Sequence, residues 1–427
     1  MTLENPILTG MSPEDASRKP LASPGWPDLA VTAKQAVCEH IVHHCVRTYR
    51  DRLRAVVLAG SMARDEATFV RDGKDVKLLG DADCALIFRK DASLPADSET
   101  ASLEHTIEEH LAKDGVCGKV GLSAVTPRFL ENLPRDITTY ELRNCGQVLW
   151  GEPDILSIVR NFSASDIMRE DAWRMLCNRM IEQLTYVGHL NYTSAELTPE
   201  LHYATVKLFL DMATSYLLFA EEYAPSYRKR SERLLALAEQ AHGEAPFPLK
   251  EFAARVAECT SWKLSGEEGD CDRRVGLWHE AISYLCRLWR WEMIQLTSAR
   301  GEVTIEFLCR QLAKQQTVRQ RLRGWLSVVK RRGWLKSWRR WPRWMRLSLD
   351  ATPRYLVYRA ATEVVFRLPS LLKQEGELPH LDVDWHAVRA LLPERAPRPS
   401  SPQKVLWRAL ADDVSWNYSE FLMNTRA

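Results

Sequence analysis

No run of some twenty apolar residues occurs anywhere in the 427-residue chain, so the sequence offers no candidate membrane span. Its ten cysteines include no Cys-x-x-Cys pair, which argues against the paired-knuckle zinc modules and reads as reduced, buried thiols of a cytoplasmic protein. An excess of one charge is missing too: 58 Lys and Arg against 56 Asp and Glu leave a net charge of +2, which favours no class of partner for the chain as a whole. Met1 to Pro27 lacks an apolar core and is rich in Pro, Ser and Thr, so no leader is expected there and residues 1–30 are assigned to a disordered tail. No internal repeat is present, and the length predicts two or more domains with ample core.

What is present begins between Val56 and Phe88, VVLAGSMARDEATFVRDGKDVKLLGDADCALIF. An apolar run (Val56, Val57, Leu58) leads to Gly60-Ser61, a polar excursion follows, and Asp81-Ala82-Asp83 opens a second apolar run to Phe88. Carboxylates at i and i+2 of a strand point to one face. They repel unless positive charge lies between them, which an oxygen-seeking divalent cation supplies. Gly60 allows close approach of the backbone to a phosphate, and Ser61 with the turn amides can donate to it. A phosphate-holding turn beside a metal-holding acid pair suits nucleotidyl or phosphoryl transfer.

Ala59-Gly60-Ser61 followed by Asp81-x-Asp83 between apolar residues resembles the nucleotidyltransferase superfamily, the polymerase-β-like fold. The likeness covers roughly Val31 to Trp150, with a spacer longer than usual. The excess predicts a hairpin, with Thr68-Phe69-Val70 and Val76 to Leu79 about an Asp72-Gly73 turn. The resemblance implies an α+β fold: a small mixed-sheet domain over residues 31–155 and a helical bundle over 156–300. It further implies Mg²⁺ or Mn²⁺ held by the catalytic pair Asp81 and Asp83, with Gly60, Ser61, Arg64 and Lys207 on the nucleotide. The activity implied is transfer of an NMP from an NTP to an unidentified acceptor, in surface-polysaccharide or membrane-linked metabolism. One departure stands out. The expected third carboxylate would lie on the strand Lys119 to Val125, which offers only Gly121 or Ser123. The alternative is therefore a catalytically degenerate nucleotide-binding or scaffold protein. Glu141, in the strand-like run Thr139 to Leu142, is read as structural.

Along the rest of the chain, Val31 to Arg52 has helical apolar spacing (Val37, Ile41, Val42, Val46). It also carries Cys38, His40, His43, His44 and Cys45, which are metal-ligand types, but the spacing favours an opening helix over a zinc site. Ile137 to Trp150 alternates around Asn144-Cys145-Gly146 and predicts a last hairpin. Helices are then predicted from Ser165-Asp166 to about His189, and from Thr198-Pro199 to about Tyr223. Further helices are predicted over Tyr227 to Gln240, Phe247 to Trp262, Val275 to Thr297, Tyr355 to Leu372 and Val405 to Met423. Glu394 to Gln403 is a Pro/Ser-rich connector. Trp262, Trp278, Trp289 and Trp291 are assigned to the bundle core. Lys207 either meets a triphosphate or pairs with Asp211 at i, i+4. Lys77 is a further phosphate candidate.

Between Glu306 and Asp350 there is no acidic residue, while thirteen basic residues run from Arg310 to Arg346. Trp325, Trp334, Trp338, Trp341 and Trp344 are interleaved with them. Residues 301–350 are thus a basic, Trp-rich amphipathic segment, with Leu322, Trp325, Leu326 and Val329 at helical spacing. An anionic membrane surface is the first reading. Single-stranded nucleic acid and plain packing onto the bundle are the alternatives. Residues 351–427 close as a helical region.

Overall fold

The computed structural model describes residues 26–187, 196–240, 245–266, 273–333, 338–368, 384–396 and 406–421. It begins with helix α1 (Trp26–Tyr49), which buries Val37 and Ile41 of the predicted apolar positions together with Cys45, while Val42 and Val46 are half-buried. The helix starts inside the stretch assigned to the tail; residues 1–25 lie outside the described ones. Strand β1 (Leu53–Leu58) leads through the one-turn helix α2 (Gly60–Ala63) to β2 (Thr68–Asp72) and β3 (Asp75–Phe88). Helix α3 (Asp97–Lys113), β4 (Val116–Val125), α4 (Pro127–Glu131), α5 (Ile137–Cys145) and β5 (Gln147–Gly151) complete this part.

The predicted hairpin is present, with Asp72 opposite Asp75. Its second strand and the strand predicted after Asp83 are one continuous element, β3. β2 and β1 lie in tandem along one edge of β3, both antiparallel to it; β4 runs parallel along the other edge, and β5 pairs with β1. The sheet is therefore mixed, and with the helices the chain is α+β. Between Lys77 and Asp81 the pairing with β4 slips, with four residues of β3 spanning two of β4, so a bulge sets up the acid pair. Ala82, Cys84 and Leu86 pack under α1 and α3; the other side of the sheet, where Ala85 and Ile87 lie, receives Leu130, Ile155 and Leu156. Asp81 and Asp83 share that second face by strand alternation.

The last predicted hairpin is wrong in its first half. Ile137 to Cys145 is helical because Asp136 caps it, its carboxylate accepting from Thr139 N at 2.7 Å; only Gln147–Gly151 is a strand. A good N-cap outweighed a weak alternation.

Helices α6 (Arg169–Val187), α7 (Pro199–Phe219), α8 (Tyr227–Gln240), α9 (Leu249–Ser265) and α10 (Val275–Thr297) follow. Thr198 caps α7, accepting from Leu201 N at 3.4 Å, with Pro199 in its first turn. From Ala204 to Phe219 every residue of α7 is buried except Lys207. Then come α11 (Ile305–Lys314), α12 (Val318–Arg332), α13 (Trp341–Asp350), α14 (Pro353–Val365), α15 (Trp385–Ala390) and α16 (Leu406–Phe421). One buried apolar cluster runs from Trp173 on α6 through Trp278 and Trp289 on α10 to Val414 on α16, so these helices share a core.

The basic segment is split differently from its sequence spacing. Trp325 and Trp344 are core residues, 6% and 3% exposed, with rings 6.1 Å apart and indole N–H groups donating to the Ala351 and Pro393 carbonyls. Leu322 and Leu326 face solvent instead. The two sets share helical spacing, but α14 and the segment around Pro393 cover only one side of α12 and α13. Trp334 lies outside the described residues.

Candidate functional site

The turn after β1 is fixed by backbone geometry. Ala59 N–H donates to the Asp83 carbonyl at 2.8 Å, holding the turn against β3. Gly60 has φ +66°, a left-handed conformation that disfavours any side chain, and a Cβ there would lie 3.2 Å from Asp83 Oδ2. On the opposite side, Gly121 of β4 pairs with Asp83 in register, and a Cβ at Gly121 would lie 3.1 Å from Asp83 Oδ1. The Asp83 carboxylate thus sits between two glycines. The position where a third acid was sought is the one that makes room for the second. Ser123, in register with Ala85, is exposed and lines the same cavity. Neither residue of β4 supplies a carboxylate.

That cavity, about 630 Å³, has two walls. Gly60, Ser61, Asp81, Asp83 and Ser123 form the sheet wall; Arg179, Tyr203, Lys207, Tyr227 and Lys263 come from four helices of the bundle. Every site residue inferred from sequence (Gly60, Ser61, Arg64, Asp81, Asp83, Lys207) lies on this lining. Lys77 does not; it borders a separate hollow with Arg71, His202 and Trp262.

Electrostatics distinguishes these groups. Surrounding protein, and secondarily the Asp81 charge, push the Asp83 carboxyl up to about 6, against the pull of Lys207. Lys207 is pulled below its ordinary value, first by the Arg179 guanidinium and then by burial. The pairing with Asp211 suggested by spacing is not made: Asp211 holds Arg179, and Lys207 forms no ion pair among the described residues. Lys263, 2% exposed, is pushed down to about 7 by burial and then by Lys207. Its Nζ donates to the Glu66 carbonyl at 3.0 Å and to Thr68 Oγ1 at 2.7 Å.

Lys263 and Arg179 were not singled out from sequence. Lys263 carried a signal: it continues the buried stripe Phe252, Val256, Cys259 of α9, where a lysine is out of place.

Arg64 is in place but engaged: its guanidinium meets Glu66 Oε2 at 2.9 Å and Glu141 Oε2 at 2.5 Å. Glu141 is bound on both oxygens, because Oε1 accepts from Tyr223 Oη at 2.8 Å and from Arg230. An acid so tied is a structural anchor.

Two carboxylates on one strand face, one of them held near 6 by burial and by the other's charge, fit an oxygen-seeking divalent cation. Among the described residues no group of three or more His, Cys, Asp or Glu side chains is set to hold a metal. On α1, His40 and His44 instead meet His110 of α3, with His44 and His110 ring centroids 4.7 Å apart, and His43 packs edge-on against His44. His40 Nε2 lies 2.8 Å from Asp114 Oδ2, and burial, then His110, pushes His44 down to about 4. Compared with models of known families and with curated proteins, the chain matches none of them.

Proposed function

We propose that the cavity binds a nucleoside triphosphate and that the chain is a nucleotidyltransferase of the polymerase-β-like type, passing a nucleoside monophosphate to an acceptor. The observation that carries this reading is the convergence of the Gly60-Ser61 turn, the Asp81/Asp83 pair, the half-buried Lys207 and the buried Lys263, the two lysines coming from separate helices, on one cavity. Asp81 and Asp83 would hold Mg²⁺ or Mn²⁺, which when bound supplies charge neutralisation and orientation to the phosphates. The Ser61 hydroxyl and the first amides of the α2 turn, which have no partner within the turn, can donate to phosphate oxygens. Lys207 and Lys263 face them with positive charge and stabilise the leaving group. In the transfer an acceptor oxygen forms a bond to the α-phosphorus, the bond to the bridging α–β oxygen breaks, and pyrophosphate leaves with that electron pair. The acceptor's proton passes to solvent, because no free carboxylate on β4 is there to take it.

That same absence supports a second reading, nucleotide binding without turnover. Gly121 and Ser123 stand where an acid was expected, and Glu141 is tied to two arginines. The test is pyrophosphate release from each of the four common NTPs with Mg²⁺ or Mn²⁺, for the wild type and for Asp81→Asn and Asp83→Asn. The expected outcome is release that falls at least a hundredfold in either variant with unchanged thermal unfolding. Release unaltered in Asp83→Asn would sink the proposal. Tight, metal-dependent NTP binding without release would select the second reading.

A further inference from the structure

Eleven large apolar side chains are exposed among the described residues, and seven of them fall between Phe307 and Leu349: Phe307, Val318, Leu322, Leu326, Trp338, Met345 and Leu349. On α12, Val318, Leu322 and Leu326 follow at four-residue spacing, 70%, 53% and 55% exposed, and so form one ridge. The neighbouring ridge carries Arg319, Arg323 and Lys330, all exposed. On α13, Met345 and Leu349 repeat the spacing at 67% and 75% exposure, with Arg346 beside them. The opposite sides of both helices are bolted down, through Trp325 and Trp344 in the core and through Arg321, whose guanidinium donates to the Leu349 carbonyl at 2.7 Å. The exposed ridges are therefore held rigidly outward and are not loose core.

The charge of this surface is one-sided. No acid lies between Glu306 and Asp350. Arg332 and Arg340 are taken by Glu394, at 2.8 and 2.5 Å, and Arg310 by Glu306 at 2.9 Å. Lys314, Arg319, Arg323, Lys330, Arg331, Arg339 and Arg346 have no carboxylate partner among the described residues. A ridge of aliphatic side chains flanked by unpaired cations is complementary to a bilayer interface whose headgroups are anionic. The aliphatic character also separates this partner from single-stranded nucleic acid, which needs aromatic faces for base stacking. Of the described tryptophans here, Trp325 and Trp344 are spent in the core, Trp341 is half-buried against it, and Trp338, 64% exposed, stands out alone. No described helix is long and apolar enough to cross a membrane, so the contact is with the surface.

We infer that α12 and α13 form a docking face for an anionic lipid bilayer, with Val318, Leu322, Leu326, Met345 and Leu349 entering the interface and the unpaired Arg and Lys residues meeting the headgroups. The test is co-sedimentation of the full chain with vesicles of phosphatidylcholine alone or mixed with phosphatidylglycerol. Binding is expected only to the anionic vesicles and weakens as salt is raised. Leu322→Ser/Leu326→Ser, at exposed positions, lowers partitioning about tenfold or more with unchanged thermal unfolding. Arg319→Gln/Arg323→Gln lowers it several-fold and flattens the salt dependence. Failure to bind anionic vesicles at low ionic strength would overturn the inference. So would binding indifferent to both double variants, or capture of a single-stranded oligonucleotide, or self-association in place of lipid. Pyrophosphate release without vesicles is untouched by either variant, so failure here is distinct from failure of the proposed activity.

Discussion

Lys263 is the residue whose chemistry depends most on its surroundings. Both hydrogens of its neutral amine are accounted for by the Glu66 carbonyl and Thr68 Oγ1, so protonation adds a third donor for an anion in the cavity. With its pKa pushed down to about 7 by burial, it is mostly neutral above that pH and charged below it. A polyphosphate beside it favours the charged form. Triphosphate affinity should accordingly be flat below about pH 7 and fall as pH rises, by up to about tenfold per pH unit, with proton uptake on binding. Titration calorimetry from about pH 6 to about pH 9, in buffers of different ionisation enthalpy, measures both effects. Lys263→Met should abolish the uptake and flatten the profile; an unchanged profile would remove Lys263 from the site. Stability has its own sign. Folding lowers this pKa from 10.5, so the unfolded chain binds more protons between about 7 and 10.5, and stability rises with pH in that window. The methionine variant therefore gains most at and below neutral pH.

Helix α5 shows how one element can be misread in sequence and still carry the joint between sheet and bundle. Its Glu141 accepts from Arg64 on the sheet side and from Tyr223 and Arg230 on the bundle side, and the Arg64 and Arg230 side chains are 5% and 3% exposed. Removing the acid leaves two buried cations short of a partner, so Glu141→Ala should destabilise the fold by on the order of 3 kcal/mol in chemical denaturation. Glu141→Gln keeps hydrogen bonding and should lose less, while turnover per folded molecule stays within a few-fold of wild type. A Gln variant that is stable yet inactive would instead make Glu141 the missing catalytic acid. The alternation of Ile137 to Trp150 concealed this helix, because an Asp136 N-cap is a single residue whereas periodicity accumulates over many. Elements with strong local signals were legible: α8 and α10 begin and end where their periodicity does, Thr198-Pro199 opens α7, and Asp72-Gly73 marks the hairpin. The acid pair and glycine turn were legible because strand alternation and glycine's backbone freedom are local facts. Arg179 was not, and Lys263 showed only as a lysine out of place on a buried stripe, since their arrival at the cavity that Asp83 lines depends on how four helices pack, which no window of sequence contains.

At the scale of the whole molecule, the cavity exists because the bundle is clamped to one corner of the sheet. Tyr203 Oη donates to the Leu79 carbonyl at 2.8 Å, Thr68 Oγ1 to the Lys263 carbonyl at 2.9 Å, and Arg228 N to Glu66 Oε1 at 3.1 Å. A close approach of backbone to backbone falls at Gly266, which ends α9 in the left-handed region at φ +65°. A Cβ there would lie 1.9 Å from the Phe69 carbonyl oxygen, a backbone atom of β2 that cannot rotate away. Gly266→Ala must therefore push α9 off β2, in addition to about 1 kcal/mol for a non-glycine residue in that conformation. Lys263 lies one turn back on the same helix, so the displacement carries it from Glu66 and Thr68 and widens the cavity. The expected result is a fall in thermal midpoint of several degrees together with a loss of triphosphate affinity of about tenfold. Gly276→Ala on α10, where an added Cβ meets nothing within 4 Å, should change neither and serves as the control. Equal affinities in the two variants would show that the sheet holds its ligand without the bundle, and the lysine wall would then have no part in binding.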